Sequence, residues 1–331
     1  MGLLMRTWLV FSLVFPSGCT LVLSSTPCDT ADPSPAPDDT APPEDTGDTA
    51  EPSPRTARTL AAGGHHTCAI DLDGTADCWG FDGALGTSTI PPELTEPSSL
   101  SAGYLFSCGL PATLPAAPVC WGDNGSGQLN TETRLVEPVA AGGAHACGVT
   151  EAGGVACWGR NTEGQATPPR SVSAASSVAL LASGWLFSCA EVDEDRVPTC
   201  WGFDEEGQVS TVPERTFATL ALGQGFGVGI DAASRQLACW GRGTICETVP
   251  VETDTVWADV VAGLDFACGL SDAGRAQCWG TNGNGILRDV PTGALSAISA
   301  GPGGRHACAI RDDGTDTVVC WGLDTSGQST P

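Results

Sequence analysis

Sixteen cysteines and four histidines are the residues of this 331-residue chain that could do metal or redox chemistry. Their spacing separates the two. No Cys-x-x-Cys occurs, and six couples stand 10 to 12 residues apart: Cys68/Cys78, Cys108/Cys120, Cys147/Cys157, Cys189/Cys200, Cys268/Cys278 and Cys308/Cys320. Zinc sites want closely spaced thiolates with His beside them, so these couples point to disulfides in an oxidising compartment. Cys239 departs from the pattern: Val228 stands where its partner is expected, and Cys246 follows 7 residues on. A substitute bridge between Cys239 and Cys246 is the expectation, with their pairing left open. The Asp-rich stretches Asp71–Gly74 and Asp312–Asp316 lack the full spacing of a calcium loop and read as ordinary hairpin turns. There is no serine nucleophile elbow, phosphate loop or metalloprotease helix motif, and every basic residue is Arg, so lysine chemistry is absent. No enzyme, metal or cofactor is expected. The enzymatic alternative that survives is a hydrolase-type site in which carboxylates converge on a central channel.

The elements that would carry these residues repeat. A Trp-Gly pair recurs at Trp79, Trp121, Trp158, Trp201, Trp240, Trp279 and Trp321, at intervals of 42, 37, 43, 39, 39 and 42. Upstream of each lies Gly, a few variable residues, His or Phe, one residue, then Cys: His66/Cys68, Phe106/Cys108, His145/Cys147, Phe187/Cys189, Phe226/Val228, Phe266/Cys268 and His306/Cys308. Between the two anchors the text alternates around a Gly-bearing turn, as in Cys68–Cys78, which is hairpin chemistry. A short apolar run precedes the first anchor. Each repeat thus holds at least three antiparallel strands, with room for a fourth after Trp-Gly, and no stretch keeps a helical period. The expected fold is all-β, a seven-bladed propeller spanning residues 59–331, closed by bringing its two ends together. Four repeats place Phe where His66, His145 and His306 stand in the others, so this slot holds a packed ring rather than a metal ligand, and the seven Trp read as inter-blade core.

The block Gly-x-x-His-x-Cys-Ala, hairpin, Cys-Trp-Gly and a turn ending in Gly-Gln resembles the repeat of the regulator of chromosome condensation family. The Gly-Gln turn is present at Gly127/Gln128, Gly164/Gln165, Gly207/Gln208 and Gly327/Gln328, and is altered in repeats one, five and six. The resemblance implies a propeller that binds macromolecules: the eukaryotic namesake binds chromatin and promotes nucleotide exchange on a small GTPase, and a secreted bacterial relative with short repeats inhibits β-lactamases.

Charge and the N-terminus narrow the partner. With 39 acidic against 14 basic residues and a net charge of −25, the chain repels a phosphate backbone, so nucleic acid is not an expected partner. Arg6, the apolar run Trp8–Phe15 and the small residues before Cys19 read as a signal segment over 1–18, with Met1 or Met5 as the start, and resemble a bacterial lipoprotein box with Pro16 in an unusual place. Lipidation at Cys19 is the expectation; ordinary secretion is the alternative. Residues 19–58, which include an unpaired Cys28, are Asp, Glu, Thr, Pro, Ser and Ala and read as a disordered acidic tether. The chain would then be a monomeric protein of the bacterial cell envelope or surface, touching membrane through its lipid alone.

Because strands alternate in direction, the turn after the first strand and the loop after the third share one face. That face presents Tyr104, Leu105, Trp185, Leu186 and Arg305 from the first set and Phe81, Arg160, Phe203 and Arg242 from the second. Aromatic and Arg side chains dominate binding hot spots, so a macromolecular partner, a protein first and a glycan or cell-wall polymer second, is expected there.

Overall fold

The computed structural model describes residues 55–193, 196–250 and 254–331. The expected signal segment, Cys19, Cys28 and the tether up to residue 54 lie outside the described residues.

Seven antiparallel sheets follow one another, each with three strands in chain order. Blade 1 holds Thr59–Ala62, His66–Ile70 and Ala76–Gly80; blade 2 Ser99–Ala102, Phe106–Leu110 and Val119–Gly122; blade 3 Leu135–Ala141, His145–Thr150 and Val155–Gly159. Blade 4 holds Val178–Ser183, Phe187–Val192 and Thr199–Gly202; blade 5 Phe217–Leu222, Phe226–Asp231 and Leu237–Gly241. Blade 6 holds Trp257–Ala262, Phe266–Ser271 and Ala276–Gly280; blade 7 Leu295–Ser299, His306–Arg311 and Val318–Gly322. The first strand of every blade lies against the first strand of the next, and that of blade 7 against that of blade 1. This is the expected seven-bladed propeller, with its inner strands around a channel.

Position in the ring explains the composition of each strand. The middle strand is covered on both faces by neighbouring blades, so it shows a continuous buried run, as in His66–Ile70, rather than alternation. The core is correspondingly divided into interfaces: Phe106, Cys108 and Leu110 of blade 2 pack against Ala141, Ala146 and Trp158 of blade 3. Trp79 and Ala69 of blade 1 pack against Cys308, Ile310 and Val318 of blade 7.

In six blades two Cys stand directly opposite each other in the register of the middle and outer strands and are bonded: Cys68–Cys78, Cys108–Cys120, Cys147–Cys157, Cys189–Cys200, Cys268–Cys278 and Cys308–Cys320. Sequence pairing treats the two sulfurs of a bridge alike, and the structure separates them. Cys68, Cys108, Cys147, Cys189, Cys268 and Cys308 on the middle strands are fully buried, whereas Cys120, Cys157, Cys200, Cys278 and Cys320 on the outer strands are half-buried and only Cys78 of that set is buried. The outer strand is the edge of its sheet and has a strand on one side alone, which leaves its cysteine closer to solvent. Loops this short contribute about 2 to 3 kcal/mol per bridge in the chain-entropy account, which matters for blades of three short strands.

The room for a fourth strand after Trp-Gly is taken by a turn. The Gly of each Trp-Gly pair has φ between 87° and 111°, a region that β-carbon-bearing residues avoid. Two residues further on, an Asp or Asn side chain turns back and accepts a backbone N–H from residues downstream: Asp82 from Ser88, Asn124 from Leu129, Asn161 from Ala166, Asp204 from Val209, Asn282 from Leu287 and Asp324 from Ser329. Such side-chain capture competes with strand pairing. Blade 5 has Gly243 at this position, and there the Cys239–Cys246 disulfide closes the loop instead, around a single helical turn at Gly243–Cys246. The loss of the blade 5 hairpin bridge at Val228 and the loss of the side-chain clamp are therefore one exchange.

The turns that join first to middle strands are glycine because the blades converge there. A β-carbon on Gly63, Gly103, Gly142, Gly184 or Gly223 would come within 2.5 to 2.8 Å of the carbonyl oxygen of the equivalent Gly in the next blade. The ring is sealed by the chain ahead of the first apolar run. Val318 N–H donates to the Arg55 carbonyl and Ala57 N–H to that of Asp316, so residues 55–57 clasp the outer strand of blade 7. Leu135 of blade 3 makes the same clasp on Ala116 of blade 2.

Candidate functional site

The two loop sets expected on one face are joined by hydrogen bonds. The residue after each Trp-Gly donates its N–H to a carbonyl of the turn that precedes the middle strand: Phe81 to His65, Asp123 to Leu105, Arg160 to Ala144, Phe203 to Leu186, Arg242 to Gly225, Thr281 to Asp265 and Leu323 to Arg305. The face is thus a ring of seven paired loops held by backbone, on which side chains are free to differ.

At its centre are four aromatic rings. Tyr104 and Trp185 meet edge to face with centroids 4.7 Å apart, His65 meets Tyr104 at 5.1 Å, and Phe81 lies 6.5 Å from His65. The Tyr104 hydroxyl and His65 Nε2 are 3.1 Å apart. Tyr104 belongs to blade 2 and Trp185 to blade 4; they meet across Gly143 of blade 3, and both rings lie where a side chain on Gly303 of blade 7 would project. The cluster therefore spans the mouth of the channel on this face. Of the sequence-derived residues, Leu105, Leu186, Phe81, Phe203, Arg160 and Arg242 are half-buried around it and Arg305 is exposed. Arg160 holds Thr162, and Arg242 reaches Gln224 and lies 3.7 Å from Glu206. Exposed acids, among them Glu163, Asp204, Glu205 and Glu206, complete the rim. Sequence reading missed His65, whose neighbour His66 drew attention by matching the repeat; a variable His beside an aromatic-bearing loop was the available signal. A larger concavity of about 440 Å³ lies at the outer rim, along Arg275, Val290, Pro291 and Thr292, and brings no aromatic ring or cluster of titratable groups together.

The three repeat-slot histidines face inward to the interfaces between blades. His66 Nε2 is 2.6 Å from the Ser107 hydroxyl, His145 Nε2 is 2.8 Å from that of Ser188, and His306 Nε2 is 2.7 Å from that of Thr67. Each pair joins one blade to the next, with blade 7 returning to blade 1. The remaining four blades carry Phe in the slot, and the facing residue in the next blade is then Ala146, Gly227, Ala267 or Ala307. Imidazole meets hydroxyl and phenyl meets Ala or Gly at all seven interfaces. Although a hydroxyl beside an imidazole is the start of nucleophilic chemistry, all six residues are fully buried and Nδ1 of each His finds no carboxylate among the described residues. Burial pulls the imidazoles down, to about 4 for His66 and about 3 for His145 and His306, with neighbouring histidines adding to the effect at His66 and His306. They are neutral fasteners.

The carboxylates that the hydrolase alternative requires do not converge among the described residues. The channel, about 300 Å³, is lined by one titratable side chain, Asp259. Glu191 is buried elsewhere, between blades 4 and 5, where its Oε1 accepts the Phe217 N–H at 2.8 Å and desolvation pushes its carboxyl up to about 7.

Comparison with known proteins agrees with this architecture. Residues 139–165, 257–286 and 296–328 match the Regulator of chromosome condensation (RCC1) repeat. The CRINKLY WD40 ectodomain of the Arabidopsis thaliana receptor kinase ACR4 is similar at 27% identity and a TM-score of 0.65, over 81% of this chain and 98% of that one. The entire ectodomain of the Physcomitrella patens receptor kinase CR4 is similar at 25% identity and a TM-score of 0.66, over 81% of this chain and 73% of that one. Human WBSCR16, at 17% identity, a TM-score of 0.58 and 75% and 85% coverage, shares the fold.

Proposed function

We propose that this chain, a β-propeller of regulator-of-chromosome-condensation (RCC1) repeats, is a non-catalytic binding platform of the bacterial cell envelope that engages a protein partner through the face centred on Tyr104 and Trp185. The observation that carries the reading is the aromatic cluster itself. Two large rings from blades 2 and 4 are held edge to face, so their rotamers are set before a partner arrives and little side-chain entropy is lost on binding. Arg160, Arg242 and Arg305 stand around them among acids, giving the apolar centre and mixed polar rim of a protein interface. A glycan reader would instead offer flat rings in a row. Seven disulfides among the described residues and the likeness to two receptor ectodomains support an oxidising, extracytoplasmic location.

The proposal extends to a lipid anchor at Cys19, which rests on the likeness of the residues before it to a bacterial lipoprotein box.

The test is quantitative affinity capture from the native envelope with the full chain. A partner retained by the wild type should bind at least fivefold more weakly to Trp185→Ala with Arg305→Ala, a difference of about 1 kcal/mol. Equal retention refutes the face. Separately, Cys19→Ala should move the protein from the membrane to the soluble fraction, and unchanged membrane association refutes the anchor.

A further inference from the structure

The loop that follows Trp-Gly in blade 5 is held in a way that no other blade uses. Elsewhere an Asp or Asn side chain captures a downstream N–H, and the indole of the next blade donates to a carbonyl of the same loop, as Trp158 does to Gln128. In blade 5 both ties are missing. Gly243 stands at the clamp position, and Nε1 of Trp279 is buried with no acceptor among the described residues. Space does not forbid a clamp, since a β-carbon on Gly243 would meet nothing closer than 3.9 Å. The Cys239–Cys246 disulfide takes its place, beside Ile245, which is buried in one apolar cluster with Phe226 and Trp279.

This bridge also differs in chemistry from the six hairpin bridges. In thiol–disulfide exchange a thiolate attacks one sulfur and expels the other, so a good target needs an accessible sulfur and a leaving thiolate that water can stabilise. Every hairpin bridge fails on the second count. Cys68, Cys108, Cys147, Cys189, Cys268 and Cys308 are 0% exposed, and apolar burial raises a thiol's pKa and makes its thiolate a poor leaving group. Cys239 and Cys246 are both half-buried, and the turn between and after them exposes Gly243, Thr244, Glu247 and Thr248. The mechanical result differs too. Opening a hairpin bridge leaves its strands paired in register, as from Phe106↔Gly122 to Gly109↔Val119. Opening Cys239–Cys246 leaves the turn tied by Ile245 and by backbone bonds of its own. Those run from the Ile245 and Cys246 N–H groups to the Arg242 carbonyl, at 3.3 and 3.4 Å, and from the Glu247 N–H to that of Gly243, at 2.8 Å. A single helical turn is marginal without such closure.

We propose that Cys239–Cys246 is a site of thiol–disulfide exchange, opened by the dithiol of a Cys-x-x-Cys oxidoreductase, and that opening frees residues 242–248 while the rest of the ring stays closed. A thiolate of the reductant attacks one of the two sulfurs, the bond between them breaks, and the other leaves as a thiolate that takes a proton from water. The second thiol of the reductant then attacks the mixed disulfide and releases the protein. The chain gains two electrons and two protons as two thiols, and the reductant ends as a disulfide. Because Arg242 begins the turn, the rim of the aromatic face differs between the two states. The exchange site itself does not depend on any partner of that face.

The probe is reduced thioredoxin, added to the oxidised full chain at about pH 7.5 and followed by timed alkylation and peptide mapping. Cys239 and Cys246 should be alkylated at least tenfold faster than any hairpin cysteine. Thioredoxin with Ser in place of its second active-site Cys should be trapped on Cys239 or Cys246 as a mixed disulfide. Hydrogen exchange read by mass spectrometry should rise at least tenfold over 242–248 in the opened protein, with the middle strands of blades 5 and 6 protected as before. The Cys239→Ser/Cys246→Ser double variant should show the same faster exchange without reductant. Absence of reduction at Cys239–Cys246, reduction of a hairpin bridge at an equal or greater rate, capture of the reductant on a hairpin cysteine, or exchange over 242–248 unchanged by opening would each overturn the assignment. All four are read on the wild-type chain, so they decide the matter even if the double variant fails to fold.

Discussion

The imidazole of His306 in the last blade and the hydroxyl of Thr67 in the first lie 2.7 Å apart, fully buried, at the junction where the ring closes. The same contact joins blade 1 to blade 2 through His66 and Ser107 and blade 3 to blade 4 through His145 and Ser188. Closure therefore uses the ordinary interface of the ring, supplemented by the clasp of residues 55–57 on blade 7.

Since four interfaces use Phe against Ala or Gly, the two solutions should be interchangeable as pairs and not singly. Ser107→Ala leaves the His66 imidazole buried without its partner, and His66→Phe drives a ring against the Ser107 hydroxyl; each should cost about 1 to 3 kcal/mol. The double variant should return to within about 1 kcal/mol of the wild type. Denaturant unfolding of the four proteins gives the coupling energy, and additive losses would contradict the pairing rule.

Three neutral imidazoles held near 3 to 4 make the fold sensitive to acid. Their folded values lie below the unfolded value of 6.5, so the unfolded chain binds more protons between the two, and stability falls as pH drops from 6.5 toward 3. The His66→Phe/Ser107→Ala double variant should unfold at a lower pH than the wild type in acid titrations followed by tryptophan fluorescence.

Glu191 works in the other direction. Its folded value of about 7 exceeds the ordinary 4.5, so the folded protein binds the extra proton between those limits and loses stability as pH rises through 7. Glu191→Gln keeps an acceptor for the Phe217 N–H without the titration. Thermal unfolding should place this variant above the wild type at pH 8 and level with it at pH 4.5; a lower melting point at pH 8 would mean that the charge itself is required.

Six of the seven Trp-Gly indoles donate to a carbonyl of the preceding blade: Trp79 to Gln328, Trp121 to Thr87, Trp158 to Gln128, Trp201 to Gln165, Trp240 to Gln208 and Trp321 to Ile286. Trp279, which follows the disulfide-closed loop of blade 5, finds no partner among the described residues. Trp158→Ala should cost about 3 to 5 kcal/mol. Replacement by Phe removes only the donor and part of the ring, so Trp158→Phe should cost about 1 kcal/mol more than Trp279→Phe.

The sequence by itself determined the blade number, a minimum of three strands per blade and the six hairpin bridges, while the absence of a fourth strand after Trp-Gly among the described residues came from the structure. Each of the three sequence-derived features rests on local chemistry repeated in phase: a Gly-bearing turn fixes the hairpin, the hairpin places Cys68 opposite Cys78, and Trp-Gly marks the end of the outer strand. It also placed Tyr104, Trp185, Phe81 and Arg305 on one face, because strand direction alternates. The pairing of His66 with Ser107 left a trace in the sequence, since the residue after the slot changes with the ring in the preceding repeat. That trace is read only once blades are stacked, because the two residues lie 41 apart in the chain and meet through packing. Tertiary structure alone decided that Tyr104 and Trp185 touch across blade 3, that Cys239–Cys246 stands in for a side-chain clamp, and that Asp259 faces a channel. Those relationships depend on the angle between blades and on convergence at the ring centre, which arise from the sum of seven interfaces and are encoded in no single repeat.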